Sequence, residues 1–296
     1  MQLYTYWART TLHCHAPDGR PYHLVAYTGS DESLAAAQAA GRQVVQARQA
    51  RLLTEPFPDE YPRSRGPLRE QVEQRILDGQ GQLVGAVTRN RYGSLILNAP
   101  RVMFLDVDDE DLRQPLPTAS EPFSWSRFFR QLFAPAPAPP PLVPHEPHEQ
   151  IQLRLAAWLQ LHPDWKFRLY RTRRGFRLLV MQQLLAPTSP EAQEVFAAMR
   201  TDTLYVQLCQ TQDCYRARLT PKPWRMSWHR PPNPFPFDTP EQEQQQQAWE
   251  REYAQRSRDF SVCEWVGEYG RGLTCPEAGQ LAELHDAACL GGRPLA

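Results

Sequence analysis

The stretch Arg101-Val102-Met103-Phe104-Leu105-Asp106-Val107-Asp108 constrains this chain more than any other. It is apolar at successive positions, rather than alternating ones, until its acidic end. A strand of that kind is covered on both faces, so the pattern predicts a central, buried strand. Residues i and i+2 of a strand point to the same side, so Asp106 and Asp108 project together where the apolar run stops. Two close carboxylates repel unless a cation lies between them or one is protonated. Mg²⁺ or Mn²⁺ suits such a hard oxygen site, completed by water and substrate phosphates. Asp109, Glu110 and Asp111 add negative potential. A polar loop after a core strand has the same composition, and these residues alone leave both readings open.

Proline is the second constraint. There are 29 prolines among 296 residues, about twice the usual ~5%, and seven of them fall between Pro135 and Pro147. That stretch reads as a stiff linker or surface insertion. The chain is therefore divided into 1–108, an N-terminal α/β half ending in the acidic strand; 109–148, the Pro-rich linker or insertion; 149–238, a second half; and 239–296, a C-terminal helical extension. Lys+Arg and Asp+Glu balance at 33 each, which excludes a histone-like polycation but not a local basic patch. No run approaches ~18 apolar residues, so no membrane helix is expected. The start, MQLYTYWART, lacks a signal-peptide pattern. Six cysteines without framework spacing suggest reduced thiols and a cytoplasmic location.

Leu3–Leu24 reads as strands around a turn at Pro17-Asp18-Gly19. A helix is predicted from Ser30-Asp31-Glu32 to about Arg51, followed by a loop over 54–67 and a short helix over Leu68–Ile76. Val84–Val87 and Ser94–Leu97 are candidate strands. Ile151, Leu155, Trp158 and Leu159 lie at helical spacing. Phe167–Arg171 and Phe176–Met181 form a predicted hairpin, and Ser189-Pro190-Glu191 opens a helix to about Arg200. Thr203–Cys209 and Tyr215–Leu219 read as another strand pair. A helix over Glu241–Arg256, a short strand at Cys263–Val266 and a helix through Leu284 complete the chain.

Residues 166–177 hold Lys166, Arg168, Arg171, Arg173, Arg174 and Arg177 against no acid. Arg177 sits inside an apolar strand, where an unpaired charge is costly, so it calls for an anion. A nucleoside triphosphate, a nucleic-acid backbone, or Asp106 and Asp108 would serve. Arg216 and Arg218 share one face of their strand and, with Lys222, can track phosphates, while Trp224 or Trp228 offers a stacking surface. Asp202 ends a predicted helix and, taken alone, is a turn residue. A solvated face with ordinary salt bridges also accounts for these charges.

The order of these elements resembles the archaeo-eukaryotic primase superfamily, including primase–polymerases. Phe104-Leu105-Asp106-Val107-Asp108 looks like that family's first motif, and Arg174-Gly175-Phe176-Arg177-Leu178 like its second. Asp202, with Leu204-Tyr205-Val206 and Tyr215-Arg216-Ala217-Arg218-Leu219 before Lys222, looks like the third. The resemblance spans roughly residues 80–225 and implies an α+β fold with a mixed or antiparallel primase–polymerase-like core. In it, residues 149–238 are RRM-like. The resemblance also implies catalytic and metal-binding roles for Asp106, Asp108 and Asp202. Phosphate-binding roles fall to Arg174, Arg177, Arg216, Arg218 and Lys222. Mg²⁺ or Mn²⁺ is the implied cofactor, with a nucleoside triphosphate and DNA or RNA as partners. The family's second-motif histidine is replaced here by Arg177, which binds phosphate well but cannot change charge near neutral pH. The block from Thr88-Arg89-Asn90-Arg91-Tyr92-Gly93 to Asp108 also looks like an uncharacterised bacterial family, which implies no mechanism.

Other motifs are weaker. A haloacid-dehalogenase phosphatase would follow the acidic pair with Gly-Thr, where this chain has Asp109-Glu110. Cys209 and Cys214 have no second pair at zinc-finger spacing. His285-Asp286 reads as part of a helix surface. The expectation is thus a divergent primase–polymerase-like protein that binds nucleotide, nucleic acid or both with a divalent metal, with nucleotidyl transfer as its reaction if it is active. The alternatives are a non-enzymatic relative that binds nucleotide or nucleic acid, and a globular interaction protein without an active site.

Overall fold

A computed structural model describes residues 1–54, 67–113 and 146–296. Strands β1 (Tyr6–His15) and β2 (Pro21–Ser30) form an antiparallel hairpin, with helix α1 (Leu34–Thr54) against both. Strands β3 (Gln71–Leu77), β4 (Leu83–Arg89), β5 (Leu95–Ala99) and β6 (Phe104–Asp108) follow, then the short helix α2 (Asp109–Arg113). Helix α3 (Pro147–Leu161) leads into β7 (Lys166–Thr172) and β8 (Gly175–Val180). Next come α4 (Pro190–Met199), α5 (Thr203–Gln212), β9 (Tyr215–Arg218) and a 3₁₀ turn at Pro223–Met226. The chain ends with α6 (Pro240–Ser257), β10 (Cys263–Gly270) and α7 (Pro276–Cys289). Of the loop expected over 54–67, residues 55–66 lie outside the described residues, as do 114–145 of the linker expected over 109–148, whose ends are helical in α2 and the start of α3.

The architecture is α+β, with seven α-helices and antiparallel pairing throughout the named strands of the described residues. One four-stranded sheet has the order β3-β4-β5-β9 and the other β10-β7-β8-β6. The two halves exchange strands. β6, which closes the N-terminal half in sequence, hydrogen-bonds to β8; β9, from the second half, returns to pair with β5. The sheets meet where β6 lies beside β9, and α7 touches both β4 and β8.

The apolar run at 102–107 is buried as its pattern requires, with Phe104 and Leu105 fully enclosed. They share one core cluster with Leu97 of β5, Ile151 of α3, Val195 of α4 and Leu281 of α7. β8 is buried along its whole length between β7 and β6. Gly175 opens it because no larger residue fits: a Cβ there would stand 2.0 Å from the Val107 carbonyl oxygen. Among the described residues no helix is long and apolar enough to cross a membrane.

Two elements differ from expectation. Gln71–Leu77 is a strand, not a helix; its helix-forming Gln, Glu and Arg are overridden by pairing with β4. Thr203–Gln212 is a helix, not a strand. The Asp202 carboxylate caps it by accepting from the Leu204 N–H at 2.9 Å, and Tyr205 and Cys209 bury one face at i, i+4 spacing. The last strand also extends past Val266 to Gly270, with a bulge between Trp265 and Gly267.

Candidate active site

Three carboxylates reach one cavity by separate routes. Asp106 and Asp108 arrive on one face of β6 through the two-residue period of a strand. Asp202 arrives as the cap of α5. That helix is pinned by Tyr205, whose hydroxyl donates to the Phe104 carbonyl at 2.9 Å and accepts from the Arg216 N–H at 3.3 Å. The N–H of Asp202 donates to the Asp106 carbonyl at 3.0 Å. The cavity holds about 250 Å³, and Arg174, Arg218, Lys222 and Arg225 line it as well.

Both clusters repel themselves. Burial raises the Asp108 pKa, and Asp106 and Asp202 raise it further. Burial and Asp202 also raise that of Asp111. Among the basic groups, burial and then Arg218 and Arg225 push Lys222 down to about 8. Burial, Arg218, Arg173 and Arg174 push Arg225 down to about 10. Burial likewise lowers Arg218, partly offset by Asp106. Among the described residues, no carboxylate forms an ion pair with Arg173, Arg174, Arg218, Lys222 or Arg225.

The structure brings Asp106, Asp108, Asp202, Arg174, Arg218 and Lys222 together, keeps Arg216 away from the cavity and holds Arg177 buried at it. The Arg216 guanidinium is engaged by Glu70 at 2.6 and 2.8 Å and by Gln212 at 2.7 Å, and it does not line the cavity. Arg177 does line it, but only from the floor, at 2% exposure. It stands directly across from Asp106 in the β6–β8 register, with Nε 3.4 Å from Oδ1. Its Nη1 donates to the Arg218 carbonyl at 2.9 Å and lies 3.1 Å from His285 Nε2. Burial works against its charge, but Cys263 and Asp106 outweigh that and hold it protonated. Arg177 is thus bound to the protein interior and orients Asp106 from below.

The rest of the basic hairpin is divided in the same way. Arg171 grips Asp109 through two bonds of 2.6 and 2.7 Å, and Arg168 pairs with Glu268 and Asp286. Asp109 is thereby removed from the cavity's charge balance, while Arg173 and Arg174, at the hairpin tip, form no ion pair among the described residues.

Sequence reasoning missed Arg225, although it shares a short turn with Lys222 and Trp224. It also missed His285, which is fully buried rather than on a helix surface. Its spacing to Cys289 on α7 was the available signal. Trp224 is 44% exposed beside the cavity wall, with Lys222 and Arg230 over its ring and the edge of Tyr92 against it. Trp228 packs instead against His229 and Arg256. Compared with known families, curated proteins and solved structures, the chain matches none.

Proposed function

We propose that the cavity binds a nucleoside triphosphate with Mg²⁺ or Mn²⁺, in a divergent primase–polymerase-like protein that acts on DNA or RNA. One observation carries this reading: two clusters of like charge, one acidic and one basic, line the same cavity. A divalent cation bound to a polyphosphate would relieve both at once.

The carboxylates suit the cation. Asp106, Asp108 and Asp202 offer hard oxygen donors, and burial together with the neighbouring carboxylates raises the Asp108 pKa. Bound there, the metal would supply Lewis-acid stabilisation of the reacting phosphate oxygens. The chain's own groups do the rest. Arg177 fixes Asp106, and Asp202 is held by its cap and its backbone bond. Arg174, Lys222 and Arg225 neutralise phosphate oxygens, and Trp224 offers a face to an unpaired base. In nucleotidyl transfer, a 3′-hydroxyl oxygen bonds to the α-phosphorus, its proton passes to solvent and pyrophosphate leaves. All six cysteines are free, which fits a reducing cytoplasm in this reading.

A second reading, binding without turnover, is favoured by Arg177. The resembled enzymes carry a histidine at that position, and here the group is a fixed charge tied into the core.

Calorimetric titration of Mn²⁺ and dATP into wild type and Asp106→Asn tests the proposal. Wild type binds nucleotide in a Mn²⁺-dependent way, and Asp106→Asn weakens this by roughly tenfold or more, as expected for losing a charged ligand. Wild type that binds neither probe, or a variant that behaves identically, overturns it. Primer extension on a template then separates turnover from binding alone.

A further inference from the structure

A second cation-binding arrangement lies in the core below the acidic cavity. Cys263 opens β10, and His285 and Cys289 stand one turn apart on α7. One donor atom from each lies within 4.8 Å of the others, and all three residues are fully buried. The Arg218 carbonyl faces the same point and accepts from the Cys289 thiol at 3.4 Å. Nη1 of Arg177 already touches three of these four donors. It is 2.9 Å from the Arg218 oxygen, 3.1 Å from His285 Nε2 and 3.6 Å from Cys263 Sγ.

A guanidinium N–H can only donate, so His285 Nε2 presents a lone pair to the cage. The ring proton is then on Nδ1, 3.0 Å from Asp286 Oδ1, and Asp286 is itself held by Arg168 at 2.8 Å. A carboxylate behind the imidazole is the arrangement that orients metal-binding histidines. Two cysteine sulfurs, one imidazole nitrogen and one oxygen make a donor set for a thiophilic, tetrahedral metal.

We propose that Cys263, His285 and Cys289 form a site for a thiophilic divalent metal of the zinc class, with Arg177 as the resident cation when no metal is bound. Metal binding releases the thiol protons to solvent. The guanidinium then withdraws toward the cavity that it lines, where Asp106 is already its neighbour. Metal and Arg177 therefore compete for the same donors. The site uses none of the cavity carboxylates as ligands, so its metal binding is tested separately from the phosphate chemistry.

The test is anaerobic titration of the reduced, full-length protein with Co²⁺, following the near-ultraviolet thiolate-to-cobalt charge-transfer band. Wild type shows the band, saturating at one Co²⁺ per chain, and stoichiometric Zn²⁺ removes it. Cys263→Ser or Cys289→Ser abolishes it, whereas the Asp106→Asn/Asp108→Asn double variant retains it. Arg177→Met binds Co²⁺ roughly tenfold more tightly, because a competing buried positive charge is gone. Arg177→Lys, whose shorter ammonium leaves the cage, shifts affinity the same way and serves if the methionine variant does not fold. A wild-type titration without the band, or a band that survives both cysteine substitutions, overturns the site. Unchanged affinity in the Arg177 variants overturns the competition.

Discussion

The N–H of Asp202 donates to the carbonyl oxygen of Asp106 at 3.0 Å. This single bond ties the cap of α5 to the acidic end of β6, across 96 residues of sequence, and places a third carboxylate beside the first two. The side chain of Asp202 is left with two duties: capping the helix and supplying negative charge to the cavity.

Those duties separate by substitution. Asp202→Asn keeps the cap, since Asn and Asp are nearly equivalent there, and Asp202→Ala removes it at about 1 kcal/mol. Both variants lose Mn²⁺ affinity, but only the alanine variant melts lower in metal-free buffer. Paired thermal melts and Mn²⁺ titrations check this.

Asp108 is held above the ordinary carboxylate range by burial and by the Asp106 and Asp202 charges. Its ionised form therefore destabilises the fold at neutral pH. That penalty is present above its raised folded pKa and is lost as the pH falls through it towards the ordinary carboxylate value. Asp108→Asn accordingly raises the melting temperature at pH 7 in chelator, and Mn²⁺ stabilises wild type but not the variant. Equal melting curves in chelator would contradict the repulsion.

Lys222, at about 8, is charged at pH 7 and loses its charge just above it. A bound triphosphate favours the charged form, so nucleotide affinity weakens as the pH rises through about 8. Lys222→Met flattens that profile and weakens binding at pH 7 by about 1.5–3 kcal/mol. In the absence of ligand, the same substitution stabilises the protein at pH 7, because it removes a charged form that the fold disfavours; this advantage shrinks between about 8 and the ordinary lysine value.

Arg216 and Arg225 look alike in sequence and act differently. Arg216→Ala leaves Glu70 unpaired in a largely buried place, at about 3–5 kcal/mol, with little effect on nucleotide binding. Arg225→Ala does the reverse: weaker nucleotide binding and no loss of stability, since like charges surround it. Melting and binding measured on the same two variants distinguish the roles.

What could be read from the sequence was local. The period of 102–107, the hairpin around Gly175 and the Ser189-Pro190-Glu191 helix start all state their own conformation. Thr203–Gln212 was misread because Thr, Tyr and Val favour strands, while the cap that decides the matter sits one residue earlier at Asp202. Asp106 and Asp108 could be singled out by charge and position, whereas Asp202, a turn residue taken alone, was marked only by the resemblance. The fate of Arg216 could not, because Glu70 lies 146 residues away in sequence. Arg177 was recognised as needing a partner, but its partners on α7 and β10 are set by tertiary packing alone.

The exchange of β6 and β9 between the two sheets means that neither half of the chain owns a finished layer. A fragment ending at β6 would carry the acidic pair on an unpaired strand, and a fragment beginning at α3 would have nothing for β9 to join. Separately expressed halves therefore bind no Mn²⁺ at the cavity alone and regain that binding only on mixing. The cavity is the product of interlocking, not of two modules set side by side.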